Sequence, residues 1–208
     1  MFTGIIEEVG KIQRIENISG KKYFAIRCSK VTQGLKIGDS VCCNGICLTI
    51  VDFTKDSIKA EAMPETLSVT TSRFWKVNDS INLERAMSAN SRFDGHIVQG
   101  HIDTISKRLS KSENRNSLYL EYELPYKFAE LIVNKGSVAI NGVSLTVAEV
   151  GTNSFKVAVI GLTKEHTNLI SSKYVNLEFD ILGKYVQRML NAESKKKMNP
   201  EILAKKGF

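Results

Sequence analysis

VCCNGICLTI, residues 41–50, is written a second time in this chain as VAINGVSLTV, residues 138–147. Val41/Val138, Asn44/Asn141, Gly45/Gly142, Leu48/Leu145 and Thr49/Thr146 are identical pairs, and most other positions exchange one small or β-branched residue for another. The copies stand 97 residues apart in a chain of 208. A period of roughly 20–50 residues would indicate a solenoid, whereas one near half the chain indicates a whole domain duplicated. Each half is then roughly 90–100 residues long, with a small core that gains by packing on its twin or on another subunit.

Working outward, the Asn-Gly dipeptides tolerate positive φ and predict tight hairpin tips immediately before Cys47-Leu48-Thr49 and Ser144-Leu145-Thr146. SIKAEA (57–62) alternates polar with apolar, and its copy is SFKVAV (154–159). Pro64-Glu65-Thr66 follows the first and Gly161-Leu162-Thr163 the second. The closing strands are DSINLE (79–84) and KYVNLE (173–178), and the openings FTGIIE (2–7) and VQGHID (98–103) align Gly4 with Gly100. Further strands are expected over 5–12 and 23–28, with a polar, glycine-containing linker at about 85–97. Many short strands with turns every ~8–12 residues predict an all-β chain with a small closed barrel in each half. Short helices are expected over 126–133 and in the matching region before Lys36. Past Gly183, Val186, Met189 and Leu190 recur at helical spacing, predicting an amphipathic helix that ends before Asn199-Pro200. Packing on its own barrel and association with other subunits both remain open for it.

Composition sets limits. The chain is 42% hydrophobic and 25% charged, ordinary for a soluble globular protein. No apolar run approaches the ~20 residues of a membrane span. MFTGIIEEVG is acidic where a signal peptide would be basic, so a cytoplasmic protein is expected. The net charge is +7, and the lysine-rich tail beyond Ser194 carries more than half of the excess. With no basic patch interleaved with aromatics, nucleic acid is not an expected partner. Cys28, Cys42, Cys43 and Cys47 form no C-x-x-C pair and have no histidine at zinc spacing, so reduced thiols and no metal are expected.

The halves differ at a few chemically active positions. Cys47 faces Ser144 in the alignment of the copies, His101 faces Ile5, and Asp180 faces Ala86; the remaining histidines are His96 and His166. Two similar pockets with unequal groups would suit a reaction in which two similar ligands play different parts. A thiol is a strong nucleophile once exposed, and the Ser144 and Thr146 hydroxyls can donate and accept hydrogen bonds. Each also has an ordinary reading: a packed cysteine, a hydrogen-bonded histidine, β-branched strand residues in Thr49 and Thr146, and a strand-ending aspartate. The residues alone stop at duplicated barrels with paired small-molecule sites.

MFTGIIEEVG, the doubled NG-x-[CS]-LT, GHIVQGHID, and NLEFD before a terminal helix together resemble the riboflavin synthase family of the alpha-chain type, up to about residue 190. The resemblance implies two six-stranded Greek-key barrels, residues 1–96 and 97–183, and a trimerisation helix at 184–194; the basic tail at 195–208 matches nothing informative and is expected to be flexible. It implies a homotrimer binding one 6,7-dimethyl-8-ribityllumazine in each barrel, with the active site between the N-terminal barrel of one subunit and the C-terminal barrel of its neighbour. The implied reaction is dismutation of two lumazines into riboflavin and 5-amino-6-(D-ribitylamino)uracil, without metal or redox cofactor. An association with lumazine synthase is left open.

By the same matching, the catalytic set is Phe2, Ser40, Cys47, His101, Ser144, Thr146 and Asp180. His101 and Thr146 are expected to move or bond protons, Cys47 to orient or attack, Ser144 to anchor, Asp180 to act as acid–base partner and Phe2 to cover a ring. The binding segments are Gly4-Ile5-Ile6, Cys47-Leu48-Thr49, Glu61-Ala62-Met63-Pro64-Glu65-Thr66, Gly100-His101-Ile102, Lys135, Ser144-Leu145-Thr146 and Ile160-Gly161-Leu162-Thr163-Lys164-Glu165. Gly161 departs from the family's usual proline, which predicts altered loop rigidity and retained binding. The rival is a non-catalytic lumazine or flavin antenna protein, disfavoured because both motifs are intact. A flavin-reductase module would need a nicotinamide-binding α/β domain, for which there is no glycine-rich strand-to-helix signal.

Overall fold

The computed structural model describes residues 1–114 and 117–197. Strands β1 (Glu8–Ile18), β2 (Lys21–Arg27), β3 (Ser40–Cys43), β4 (Ile46–Phe53), β5 (Ser57–Ala62) and β6 (Ser80–Arg85) close a barrel in the order β1-β2-β5-β4-β3-β6. Strands β7 (Thr104–Asn114), β8 (Ser117–Glu123), β9 (Ser137–Ile140), β10 (Val143–Val150), β11 (Ser154–Val159) and β12 (Tyr174–Phe179) close a second in the matching order. Every pairing is antiparallel, and the expected all-β architecture of tandem Greek-key barrels is what the chain adopts.

Alternation in the sequence becomes inside and outside. Ile58, Ala60 and Ala62 of β5 point into the first barrel while Ser57, Lys59 and Glu61 point out; Phe155, Val157 and Val159 do the same in β11. β4 shifts register between Ile50 and Asp52, and β10 shifts between Val147 and Glu149. Such bulges raise the local twist, which a six-stranded sheet needs to close on itself. Phe24 meets Trp75 edge-on at 4.9 Å in the first core, and Tyr122 stacks on Phe155 at 5.9 Å in the second.

The two hairpin tips meet at the seam between the barrels. Asn44 and Asn141 both have φ of 47°, followed by Gly45 at 84° and Gly142 at 79°. A Cβ on either glycine would lie 2.8 Å from the backbone nitrogen of the other, so the tips touch only because neither has a side chain. Around them the Asn82 amide donates to the Asn141 carbonyl (3.0 Å), and the Asn176 amide donates to the Asn44 carbonyl (2.8 Å). Asn44 and Asn141 in turn accept from the backbone N–H groups of Asn82 and Asn176. The duplication is thus also a local pseudo-twofold, and its buried amides are satisfied reciprocally.

Several expectations change. β1 starts at Glu8, not residue 5, because Gly4 and Ile6 are engaged with the other barrel. Residues 31–34 form a turn and not a helix, and Tyr126–Leu131 is a 3-10 helix. Two short helices unannounced by any apolar stripe follow β5 and β11: α1 (Pro64–Val69) and α2 (Gly161–Glu165), neither burying a residue. Helix α3 runs Ile181–Lys197, so it begins ahead of Lys184 and takes in the first lysines of the basic tail. Residues 198–208 lie outside the described residues.

Candidate active site

The opening segments run across the seam. Phe2 forms an antiparallel bridge with Val98, which brings residues 2–6 and 98–102 past one another. The Ser144 N–H then donates to the Gly4 carbonyl (2.8 Å), and the Cys47 N–H donates to the Gly100 carbonyl (3.0 Å). Ile6 packs against the core of the second barrel and Ile102 against that of the first. Each motif strand is therefore covered by the opening segment of the other repeat. Only glycine fits at the crossings: φ is 80° at Gly4 and 82° at Gly100, and a Cβ would lie 2.6 Å from Ser144 Cβ or 2.5 Å from Cys47 Cβ.

This crossing sorts the expected residues into two groups. The first barrel brings together Cys47, Thr49 and, across the β4–β5 ladder, Glu61, with Met63 to Thr66 continuing into α1 and Gly100-His101-Ile102 lying over Cys47. The second brings Ser144 and Thr146 of β10 together with Gly4-Ile5-Ile6, while Ile160 to Glu165 continue from β11 into α2. Lys135, at φ 67°, donates its backbone N–H to Val147 of the same strand. Cys47 and Ser144 are half-buried, whereas Thr49, Thr146 and His101 are exposed. Leu48, Leu145 and Ala62 turn their side chains into the cores, so only their backbones are offered to a ligand. Ser40 pairs with Thr49 in register, and it opens with Ile5, Glu84 and Arg85 onto a cleft of about 710 Å³.

Phe2 does not cover an open pocket. It is 0% exposed, wedged with Cys42, Val98 and Ala139 between the barrels, and its place is the seam that positions both opening segments.

The two groups differ in chemistry. In the first, the Tyr23 hydroxyl and then Lys21, whose Nζ is 3.1 Å away, hold the Glu61 carboxyl below its usual range. The position equivalent to Glu61 is Ala158 in the second barrel, a methyl in place of a charge. In the second, His96 is buried and its Nδ1 lies 2.7 Å from Ser144 Oγ. Burial pushes this imidazole below its ordinary value of 6.5, against a smaller upward pull from Asp180, so it is held neutral. A neutral imidazole on a hydroxyl can take its proton, and Nε2 has no protein partner among the described residues. Asp180 accepts the Leu182 N–H (3.0 Å) and so also caps the start of α3. Sequence reasoning singled out Ser144 and Asp180 and passed over His96, which has no counterpart in the first copy to mark it.

Residues 3–86 and 99–180 each match the model of the lumazine binding domain family. The chain is 41% identical to the riboflavin synthase of Actinobacillus pleuropneumoniae and 37% identical to that of Bacillus subtilis, in both cases over 100% of the two chains. The chain belongs to the riboflavin synthase family. A third riboflavin synthase, from Mycobacterium tuberculosis, is 37% identical over 92% of this chain and 99% of its own. The fold is also that of LumP, whose crystal structure complexed with riboflavin superposes with a TM-score of 0.79 at 23% identity, covering 86% of this chain and 99% of that one. A complex of LumP with 6,7-dimethyl-8-(1'-D-ribityl) lumazine gives 0.77 with the same coverage.

Proposed function

We propose that this member of the riboflavin synthase family is a transferase that dismutates two molecules of 6,7-dimethyl-8-ribityllumazine. One lumazine gives a four-carbon unit to the other, yielding riboflavin and 5-amino-6-(D-ribitylamino)uracil. The two substrates contain every atom of the two products, so the reaction needs no external oxidant or reductant. Identical substrates become donor and acceptor only if their pockets differ. The supporting observation is that two barrels of one topology carry unequal chemical groups, Cys47 with His101 and Glu61 at one, Ser144 with His96 and Asp180 at the other.

In this reading one lumazine loses a proton from its C7 methyl, giving an anion delocalised over the ring, while the other is attacked at C7. Ser144, backed by the neutral His96 imidazole, is suited to hold a proton or a hydroxyl near C7. Cys47 orients or attacks, and His101 and Thr146, both exposed at the mouths, relay protons. Glu61 is suited to receive ribityl hydroxyls. Holding the rings face to face converts an encounter into a positioned reaction, a gain worth up to several orders of magnitude in rate.

The same reading has three copies assembled through α3, so that the first barrel of one chain faces the second barrel of its neighbour. It is supported by the exposed Leu182, Tyr185, Val186 and Met189, which share one face of that helix. The reaction is proposed to run in the cytoplasm, where the four free thiols would stay reduced. No described helix is long and apolar enough to cross a membrane.

The test is incubation of the purified protein with 6,7-dimethyl-8-ribityllumazine alone, following flavin absorbance. One riboflavin formed per two lumazines consumed supports the dismutase. Tight binding without turnover overturns it in favour of a lumazine or flavin carrier.

A further inference from the structure

Two carboxylates stand where the repeats close, and none of the chemistry above uses them. Glu84 ends the run INLE in β6 and Glu178 ends VNLE in β12. They are 4% and 1% exposed, and neither makes an ion pair among the described residues. Both are spent on donors of the opening segments. Glu84 Oε1 accepts the Thr3 N–H (2.7 Å) and the Thr3 hydroxyl (2.8 Å), and Oε2 accepts the Gly4 N–H (3.1 Å). Glu178 accepts the Gln99 N–H (2.6 Å) and the Gly100 N–H (2.9 Å).

A carboxylate in an apolar seam is costly unless charge-assisted hydrogen bonds replace its water. An apolar residue would close a strand at less cost, so the position calls for an acceptor pair. What the carboxylates hold are the amide sides of Gly4 and Gly100. The carbonyl sides of the same residues meet the Ser144 and Cys47 N–H groups. Neither segment can slide, because a glycine without room for a Cβ lies at each crossing.

We infer that Glu84 and Glu178 are crossed positioning residues. Glu84, in the first barrel, fixes the segment over Ser144 in the second barrel's pocket. Glu178, in the second barrel, fixes the segment that carries His101 over Cys47 in the first barrel's pocket. The pockets' dependence on lumazine rests on the function proposed above; the crossed attachment does not.

Glu84→Gln keeps the shape but turns an amide NH2 toward one of the two backbone N–H groups, donor against donor, and Glu178→Gln does the same on its side. Residue-resolved hydrogen exchange of the ligand-free protein, read at the Ser144 and Cys47 amides, reports each crossing directly. In Glu84→Gln the Ser144 amide is expected to exchange about 10-fold faster or more, with Cys47 unchanged; Glu178→Gln gives the reverse. Equal acceleration at both amides, as in a general loss of stability, or acceleration at the amide of the variant's own barrel, overturns the inference. Thr3→Val removes one of the three bonds to Glu84 and is the milder variant should Glu84→Gln not fold, with a smaller change of the same pattern expected. Titration with 6,7-dimethyl-8-ribityllumazine should then show each glutamine variant losing one of two sites per chain. A wild-type protein that binds no lumazine sinks the proposed function, and leaves the crossed clamps to be judged by exchange alone.

Discussion

Tyr122 buries its hydroxyl in the second barrel with no partner among the described residues, and burial raises its pKa well above the ordinary phenol range. The ring itself stacks on Phe155. Tyr122→Phe keeps the stack and removes a desolvated donor, so chemical denaturation should show a stability gain of about 1 kcal/mol. A loss instead would mean that an internal water satisfies the hydroxyl. His96 makes the opposite use of burial, since its imidazole bonds the Ser144 hydroxyl. His96→Gln should lower kcat by about 100-fold with little change in KM, the size expected for a lost acid–base group; an unchanged kcat would remove His96 from the proposed chemistry. Sequence made Cys47 and Ser144 visible because both copies hold that position and differ there. It could not rank His96, which stands in the linker without a twin, nor show that Phe2 is consumed by the seam, which depends on how the barrels meet.

The hairpins are the elements on which both barrels and their contact depend. Asn-Gly predicted their tips, and the structure adds that Gly45 and Gly142 touch one another, which no local signal encodes. Gly45→Ala puts a methyl 2.8 Å from the Gly142 backbone nitrogen in a left-handed conformation, and that contact is with backbone, which cannot swing aside as a side-chain tip would. Strain and overpacking together predict a loss of about 2–4 kcal/mol by denaturant titration. Gly34, also at positive φ but with open space around it, should lose only about 1 kcal/mol on the same change. Strands were legible because alternation over six or more residues separates core from solvent in β5 and β11. Helices α1 and α2 were not, because five or six residues with nothing buried carry no apolar period. Ile5 and Ile6 read as strand from their apolar content, yet Ile6 packs on the opposite barrel, to which Gly4 is also bonded.

At the scale of the whole molecule, acidity acts on groups at the seam. His96 has its pKa held below 6.5, so its contribution to stability is fully present above pH 6.5 and is lost as pH falls through the folded value. Glu84 and Glu178 are raised above 4.5 by burial, so theirs is fully present below pH 4.5 and is lost as pH rises through the folded values. Melting temperature measured against pH should therefore fall less steeply below pH 6.5 in His96→Gln than in the wild type. The proposed assembly carries the larger consequence. Leu182, Tyr185, Val186 and Met189 are each more than half exposed on the single chain, on a helix whose first turn is tied to the second barrel by the Lys184–Asp103 ion pair at 2.6 Å. Asp103 also accepts the Phe179 N–H, next to the Glu178 that holds Gly100. Replacing Val186 and Met189 together by Glu puts two like charges in the middle of that face, which a contact between copies of the helix would have to bury. Sedimentation is expected to show trimers for the wild type, as proposed, and single chains for the double variant, with lumazine bound by each barrel. If facing pockets from two chains are what align the substrates, riboflavin formation should fall by about 100-fold or more at the same protein concentration. Trimers that survive the double variant would move the contact away from α3. Single chains that keep full turnover would mean that both pockets of one barrel pair suffice for the reaction.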